Sequence, residues 1–526
     1  ILIPYLKKCR WFGGKGRTIN SLSVVDVAFL HKKDIRGFFL IIKIHYNEGN
    51  PEKYFLPLFY APEEESYQIV QKFPNAVVNE IRIGSEQGIL YDAALSREFH
   101  QMLLELIIKK KKIPGRKGEW IGWPSHGARK MLQSTGIIQD TSVLKAEQSN
   151  TSIVYGKKFI LKLFRRLDDG INPDIDILRF LSEKAKFAHI PQFLGALEYH
   201  KSKGDVNSMG ILQRFVFNQG DAWDFTQDKV GNFLERILAK KEEFSELPEM
   251  PDLFSPWEKE KEEEATVFEW LGGFFIEMID LLGKRTGLLH QALASSKENE
   301  GFQPEPFSAL YQRSIFQSMK SLVKSVFDLL SENLCALSDN IRNQSQEILD
   351  SKKIILEKMS EVTERKINAM KIRIHGDFHL GQVMFTGKDF VFIDFEGEPA
   401  RPLSERRLKR SALRDIAGMI RSFHYAAYAG LLRHPSLRPE DRDFLEPWLK
   451  VWYHHVSRIF FRSYWETVGG ADFLPRSQKE ISVLLGAFLL EKAVYELGYE
   501  LNNRPDWLVI PVKGIRFILE KNITED

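Results

Sequence analysis

Ile372-Arg373-Ile374-His375-Gly376-Asp377-Phe378-His379-Leu380-Gly381-Gln382-Val383-Met384-Phe385 runs through Thr386-Gly387-Lys388-Asp389 into Phe390-Val391-Phe392-Ile393-Asp394-Phe395-Glu396. A loop carrying one carboxylate, Asp377, and an amide five residues later, Gln382, enters a short apolar strand. A tight turn leads to a second apolar strand that ends in another carboxylate, Asp394. Antiparallel pairing of the two strands brings Asp394 back towards Asp377 and Gln382. Carboxylates at the ends of Ile/Val/Phe strands are costly to bury unless a cation or a partner offsets them.

Phosphoryl transfer from a nucleotide asks for this set of groups. One carboxylate accepts or orients the attacking hydroxyl, while a second carboxylate and a side-chain amide hold magnesium against the phosphates. The order follows the pattern H-x-D-x-x-x-x-N with a later strand-borne Asp. Gln382 stands at the Asn position, with the same carbonyl oxygen on one more methylene. Asp377 is therefore predicted as the base, with Asp394 and Gln382 as Mg2+ ligands. The structural alternative is a polar hairpin with incidental acids. A zinc site on His375 and His379 is disfavoured, because Gly376 and the flanking strands argue against the helix their spacing needs.

The remaining parts of such a site are sought upstream. Ser149-Asn150-Thr151-Ser152 lies in an expected hairpin, and its amides and hydroxyls suit phosphate oxygens. Lys162, a lone charge in the strand Phe159–Phe164, needs an anionic partner: ATP phosphates together with a helix carboxylate, Asp176 in preference to Glu183. An edge-strand lysine that snorkels to water is the alternative. The main chain of Gln213, Phe215 and Val216 falls where a two-lobed kinase pairs with adenine.

Working outward, 526 residues with 43% hydrophobic and 28% charged content describe a globular chain. Lys+Arg 74 against Asp+Glu 71 leaves +3, too little for a strongly basic nucleic-acid arm. Two cysteines, Cys9 and Cys335, exclude a disulfide framework and fit a reducing, cytoplasmic setting. No apolar run reaches membrane-spanning length and no secretory signal opens the chain, so neither nucleic acid nor membrane is expected as a partner. The first residue is not Met, which leaves open a piece of a longer chain or a processed product. No G-x-x-x-x-G-K-[ST], G-x-G-x-x-G, H-E-x-x-H or G-x-S-x-G occurs, which removes P-loop, dinucleotide-binding, zincin and serine-hydrolase readings.

The first third reads as β-rich, with strands near Ser21–Leu30, Gly37–Tyr46 and Lys53–Tyr60. A helix over Leu95–Ile108 follows, then a linker at Ile113-Pro114-Gly115. Strands are predicted at Val143–Lys145, Ser152–Tyr155, Phe159–Phe164 and Gly210–Phe217, with a helix over 174–187 capped by Asn172 and opened by Pro173. From 228 the pattern is helical, in segments near 266–296, 308–338, 343–369, 411–434, 440–466 and 479–502. The acidic stretch Glu258–Glu264 reads as a solvated loop or helix start.

Taken together, His375–Gln382, Ile393–Arg407, Leu413–Phe423, Arg10–Arg17, Ile160–Arg166 and Asn502–Trp507 resemble the maltokinases, small-molecule members of the aminoglycoside-phosphotransferase-like branch of the kinase fold. The resemblance implies an α+β, two-lobed protein-kinase-like fold with an additional cap: residues 1–130 as a β-rich cap subdomain, 131–217 as the ATP-binding lobe, and 218–526 as a mainly helical lobe. It implies phosphorylation of maltose by ATP at the anomeric hydroxyl, giving maltose 1-phosphate for α-glucan synthesis, and fusion to or complex with a trehalose synthase. The family usually has Glu where Asp176 stands here.

Lys492, Tyr495 and Tyr499 share a helix face that offers a donor and aromatic rings to a sugar, at positions resembling the family's maltose contacts. His379 and Glu396 are further candidate acceptor contacts. Arg401, Arg406 and Arg421 are candidates either to organise Glu396 and Glu398 or to form structural ion pairs. Two other readings stand beside maltose. The acceptor could be glucose, glucosamine or an amino-alcohol, although Lys492 argues against a cation. The chain could also be a non-catalytic kinase-like module, against which Lys162, Asp377, Gln382 and Asp394 are all present.

Overall fold

The computed structural model describes residues 1–526 except 33–34, 135–137, 145–148, 203, 243–245, 249, 251–252, 254–262, 400, 435–436 and 521–526. The chain divides into two compact units: Ile1–Phe217 with Arg401–Glu405, and Asn218–Ala400 with Arg406–Asp526.

The first unit holds two antiparallel sheets. After the short helix α1 (Leu2–Lys8), strands β1 (Ile19–Lys32), β2 (Ile35–Tyr46) and β3 (Glu52–Pro62) form a meander. The helix α2 (Glu63–Lys72) leads to β4 (Val77–Ile83) and β5 (Glu86–Asp92), which complete the order β1-β2-β3-β5-β4. The helix α3 (Arg97–Ile108) begins at Ser96, whose hydroxyl accepts from Phe99 N–H at 3.1 Å. The second sheet takes β6 (Lys112–Pro114), β7 (Gly118–Pro124), β8 (Thr141–Val143), β9 (Asn150–Tyr155), β10 (Phe159–Phe164), β12 (Phe193–Lys201) and β13 (Val206–Arg214), ordered β6-β7-β12-β13-β10-β9-β8. The two-residue β11 (Arg166–Leu167) joins β3 in the first sheet. Helices α4 (Arg129–Ser134) and α5 (Pro173–Glu183) complete this unit.

The expected boundary between residues 1–130 and 131–217 is not a break in packing. One apolar cluster runs from Phe39, Phe55 and Phe59 through Phe99 and Leu103 to Trp120, Tyr199 and Leu212. Ring contacts mark the path: Phe39 to Trp120 at 5.9 Å and Trp120 to Tyr199 at 4.9 Å. The expected linker at Ile113-Pro114-Gly115 overlaps β6, an edge strand where Pro is tolerated. The strand expected at Val143–Lys145 lies at Thr141–Val143, and Lys145 is outside the described residues. The strand expected to reach Phe217 ends at Arg214.

The second unit is helical apart from two small strand pairs. Helices α6 (Ala222–Ala239), α7 (Glu263–Leu271) and α8 (Gly273–Leu293) open it; Glu258–Lys261 and Glu262 of the acidic stretch lie outside the described residues. The expected single segment 266–296 is split at Gly272, whose φ of +91° breaks the helix. The pair β14 (Glu305–Pro306) and β15 (Met370–Lys371) flanks α9 (Ala309–Asn333), α10 (Asp339–Asp350) and α11 (Lys352–Ser360). The hairpin β16 (Val383–Phe385) and β17 (Phe390–Phe392) interrupts the helices. After the single turn α12 (Leu403–Arg406), of which Leu403–Glu405 belong to the first unit, come α13 (Leu413–Arg433), α14 (Pro439–Val468), α15 (Gln478–Asn503) and α16 (Val509–Glu520). Among the described residues no helix is long and apolar enough to cross a membrane.

Candidate active site

In the second unit the loop His375–Gln382 is fixed by its backbone. Asp415, in the first turn of α13, is buried, and its carboxylate accepts the N–H of His375 at 2.7 Å and of Gly376 at 3.0 Å. His290 of α8 adds a third bond through Nε2, at 3.1 Å from the same carboxylate. Burial alone would raise the Asp415 carboxyl, but the bonds and charges of His290, then His375 and the Gly376 amide, hold it below its ordinary value. Gly376 takes φ +86°, a backbone state that suits glycine at this turn. Leu380 N–H donates to Ser422 Oγ at 3.1 Å, further along α13. Asp415, His290 and Ser422 were missed from sequence, where their only signal was a polar group within an apolar helix.

Asp377 leaves this rigid loop half-buried. Lys492 Nζ of α15 lies 3.3 Å from Asp377 Oδ1 and 3.6 Å from Glu398 Oε1. Burial would raise the Asp377 carboxyl; the Lys492 ammonium, then His379 and His375, outweigh it and keep its pKa below the ordinary carboxylate value. Lys492 is shifted upwards, because Asp377, Glu398 and Glu496 outweigh the cost of burial. His379 Nδ1 accepts from Gly381 N–H at 3.1 Å, which leaves its proton on Nε2, 4.0 Å from Asp377 Oδ2. Burial lowers the His379 pKa against the pull of Asp377.

The hairpin pairs Val383 with Phe392 and Phe385 with Phe390. Ile393 N–H donates to Gln382 O at 3.0 Å, and Gln382 Nε2 donates to Asp394 Oδ2 at 3.2 Å. The hairpin therefore brings Asp394 to Gln382, one of the two approaches expected of this segment. Asp394 adopts φ +63°, a left-handed state unusual for a residue with a side chain. Such strain persists where surrounding structure imposes it, and it gathers at functional turns. A carboxylate and an amide oxygen are hard oxygen donors, the chemistry Mg2+ takes.

Of the candidates to organise the acids, Arg406 lies beside Glu396, with Nη1 3.2 Å from its carbonyl oxygen and 3.9 Å from its carboxylate. Arg421 does not serve Glu396 or Glu398. Its Nε and Nη2 both bind Glu496 Oε2, at 3.0 and 2.7 Å. Arg401 pairs with Glu405 at 3.3 Å. On α15, the Lys492 ammonium stands 5.0 Å over the Tyr495 ring, while Tyr499 is exposed with Arg504 5.5 Å over its ring.

In the first unit, Lys162 is buried and lies 3.4 Å from Asp174 Oδ2. Asp174, one position into the helix after Pro173, is a partner that the sequence reading did not name. Asp174 N–H is capped by Asn172 Oδ1 at 2.9 Å, and a carboxylate in the first turn also suits the helix dipole. Glu183, the other candidate, pairs with Arg179 at 3.2 Å.

Ser149 is exposed, Asn150 opens β9, and Ser152 is buried opposite Lys162 in the β9–β10 register. The Thr151 hydroxyl is buried and accepts from Arg165 Nε at 2.8 Å. Gln213 is buried in β13 opposite Ile160, and Phe215 N–H is spent on Lys158 O at 2.9 Å. That removes the Phe215 amide as an adenine donor. Val216 follows the strand.

Residues 5–95 match the maltokinase N-terminal cap domain. Over 154 residues the chain is 24% identical to a glucosamine kinase of Streptacidiphilus jiangxiensis, covering 29% of this chain and 33% of the relative. Over 151 residues it is 24% identical to a glucosamine kinase of Mycolicibacterium smegmatis (strain ATCC 700084 / mc(2)155), covering 28% and 34%. The match thus spans about a third of these curated relatives' length. A glucosamine kinase crystal structure (crystal form B) aligns over 97% of this chain and 96% of its own, with TM-score 0.62 and 16% identity. A glucosamine kinase in complex with glucosamine, ADP and inorganic phosphate aligns over 95% and 94%, with TM-score 0.59 and 16% identity. The N-terminal β-rich region thus matches the maltokinase cap domain, and the fold of the chain is similar to that of glucosamine kinase.

Proposed function

We propose that the chain is an ATP-dependent sugar kinase whose acceptor is a neutral sugar, maltose, phosphorylated at its anomeric hydroxyl to maltose 1-phosphate. The observation that carries this reading is Asp377, kept ionised by Lys492 on a loop pinned by Asp415, with Gln382 and Asp394 bonded to each other across the hairpin root. Asp377 takes the proton of the attacking hydroxyl as its oxygen bonds the γ-phosphorus, and the bond from phosphorus to the β-phosphate oxygen breaks to release ADP. Asp394 and Gln382 would hold Mg2+, which neutralises phosphate charge when bound. Lys162, kept in place by Asp174, is assigned to the nucleotide phosphates. Ser149, Asn150 and Ser152 are assigned to covering them, and the main chain near Gln213 and Val216 to adenine. His379, Glu396, Tyr495 and Tyr499 are assigned to the sugar.

The match to the maltokinase cap is what brings maltose into this reading. Lys492 supports the same choice, because it already balances the carboxylates Asp377 and Glu398, and an aminated acceptor would meet a like charge there. The product, a sugar 1-phosphate, suits an α-glucan-forming step downstream, and trehalose synthase is the proposed source of maltose.

The test is incubation with ATP, Mg2+ and a panel of maltose, glucose and glucosamine, with the product analysed for phosphate at C1. Asp377→Asn should keep the fold and lose about 10²–10⁴-fold in kcat. Preference for glucosamine would overturn the neutral-sugar reading, and near-normal turnover by Asp377→Asn would overturn the base.

A further inference from the structure

The strand that carries Lys162 does not stop where its sheet stops. β10 ends at Phe164, Arg165 follows, and Arg166 and Leu167 pair with Tyr54 and Lys53 of β3 in the other sheet. The Arg165 carbonyl accepts the N–H of Phe55 at 2.8 Å. One continuous segment therefore belongs to both sheets, with Arg165 at the crossing.

The Arg165 side chain is 2% exposed. Its Nε donates to Thr151 Oγ1 at 2.8 Å and its Nη2 to Asp92 Oδ2 at 2.9 Å. The Trp11 ring lies 4.8 Å from the guanidinium carbon. Asp92 ends β5; its Oδ2 also accepts from Tyr5 OH at 3.1 Å, and its Oδ1 caps the next turn at Ala94 N–H, 3.0 Å away. Tyr5, Trp11 and Asp92 all fall within residues 5–95, the stretch that matches the cap. Thr151 sits opposite Leu163 in β9, one residue from the Ser152–Lys162 pair.

Cohesion of this unit does not require a buried guanidinium, because the aromatic core already joins the sheets. A buried ion pair adds little stability over apolar packing, but it fixes geometry. The rigid fork of arginine is made for fixing geometry, since its two donors, at set angles, hold one cap carboxylate and one hydroxyl of β9 in register. We propose that Arg165 is a positioning residue through which the cap sets β9 and Lys162 for nucleotide binding. This rests on the kinase reading above.

The test compares Thr151→Val, Asp92→Asn, the double variant and Arg165→Lys by KM for ATP, KM for the acceptor, kcat and melting temperature. ATP affinity is measured directly as well, with a non-hydrolysable ATP analogue. Thr151→Val and Asp92→Asn each raise the KM for ATP about ten-fold and leave the acceptor KM unchanged. The double variant is no worse than the worse single, because both act through one guanidinium. A fall in melting temperature with an unchanged KM for ATP would reduce Arg165 to a structural tie, and independent, multiplicative effects would also overturn the proposal. Should Arg165→Lys fail to fold, Thr151→Val decides, since it removes no charge and little volume. If the unsubstituted chain binds the analogue but phosphorylates no sugar, the kinase reading fails while analogue affinity still tests Arg165. If it binds no nucleotide, both fall.

Discussion

A carboxylate that is to take a proton near neutral pH must be ionised beforehand, and Asp377 owes that state to Lys492. The Lys492 ammonium lowers the Asp377 pKa, so the proposed base stays charged to lower pH than an ordinary aspartate. Lys492→Met removes the cation and leaves the burial, so the Asp377 pKa rises. The acidic limb of kcat/KM then moves to higher pH by about one unit, and the loss is larger at pH 5 than at pH 7.5. An acidic limb that stays in place would show that Lys492 does not tune the base.

The meeting of Gln382 and Asp394 was legible because a hairpin is a local object: turn length and strand alternation fix which residues meet. The partner of Lys162 was not. On a helix, residues 174 and 176 point about 200° apart, so a two-residue difference selects opposite faces, and only the docking of α5 decides between them. For Arg421 the alternative of a structural ion pair holds, with a partner the sequence did not name, since Glu496 reaches it from a helix 75 residues away.

Among the elements, α13 governs the loop. Its first turn supplies Asp415 to the amides of His375 and Gly376, and its next turn supplies Gly418, where a Cβ would stand 2.6 Å from Phe378 O. Asp415→Asn keeps size but turns one acceptor oxygen into a donor facing backbone N–H groups and His290. Bonds of this charge-assisted kind contribute about 1.5–3 kcal/mol each, so the melting temperature should fall. The loop carrying Asp377 loosens with it, and kcat drops about ten-fold or more while the KM for ATP changes little. An unchanged kcat in the folded variant would separate loop anchoring from turnover.

Long amphipathic helices such as α9 and α15 were legible from periodicity. The strand β12 was not, because Phe193-Leu194-Gly195-Ala196-Leu197 is buried on both faces and lacks alternation. β6 was hidden by Pro114, whose usual meaning as a breaker yields at a sheet edge.

At the scale of the whole molecule, the near balance of charge keeps net repulsion small at neutral pH, so acid stability turns on particular buried groups. The helices of the second unit bury His424 and His455. Burial lowers the His455 pKa to about 4, with Arg458 adding to the shift. The His424 pKa is held well below its ordinary value by burial, then by Arg421, Lys513 and Lys450. Both are neutral when folded, whereas an unfolded histidine binds a proton below about pH 6.5. The unfolded chain therefore holds more protons between pH 6.5 and 4, and stability falls as pH drops through that window. For His455 the shift corresponds to at most about 3 kcal/mol by pH 4. The melting temperature should accordingly fall steeply from pH 6.5 to 4.5, and His455→Gln, which cannot titrate, should flatten part of that slope. The substitution lowers the melting temperature at pH 7.5 through lost packing, so the slope between the two pH values carries the answer rather than either value alone. A slope unchanged by His455→Gln would assign the acid sensitivity of this unit to His424 or to its paired carboxylates, of which Asp415 holds the loop that bears Asp377.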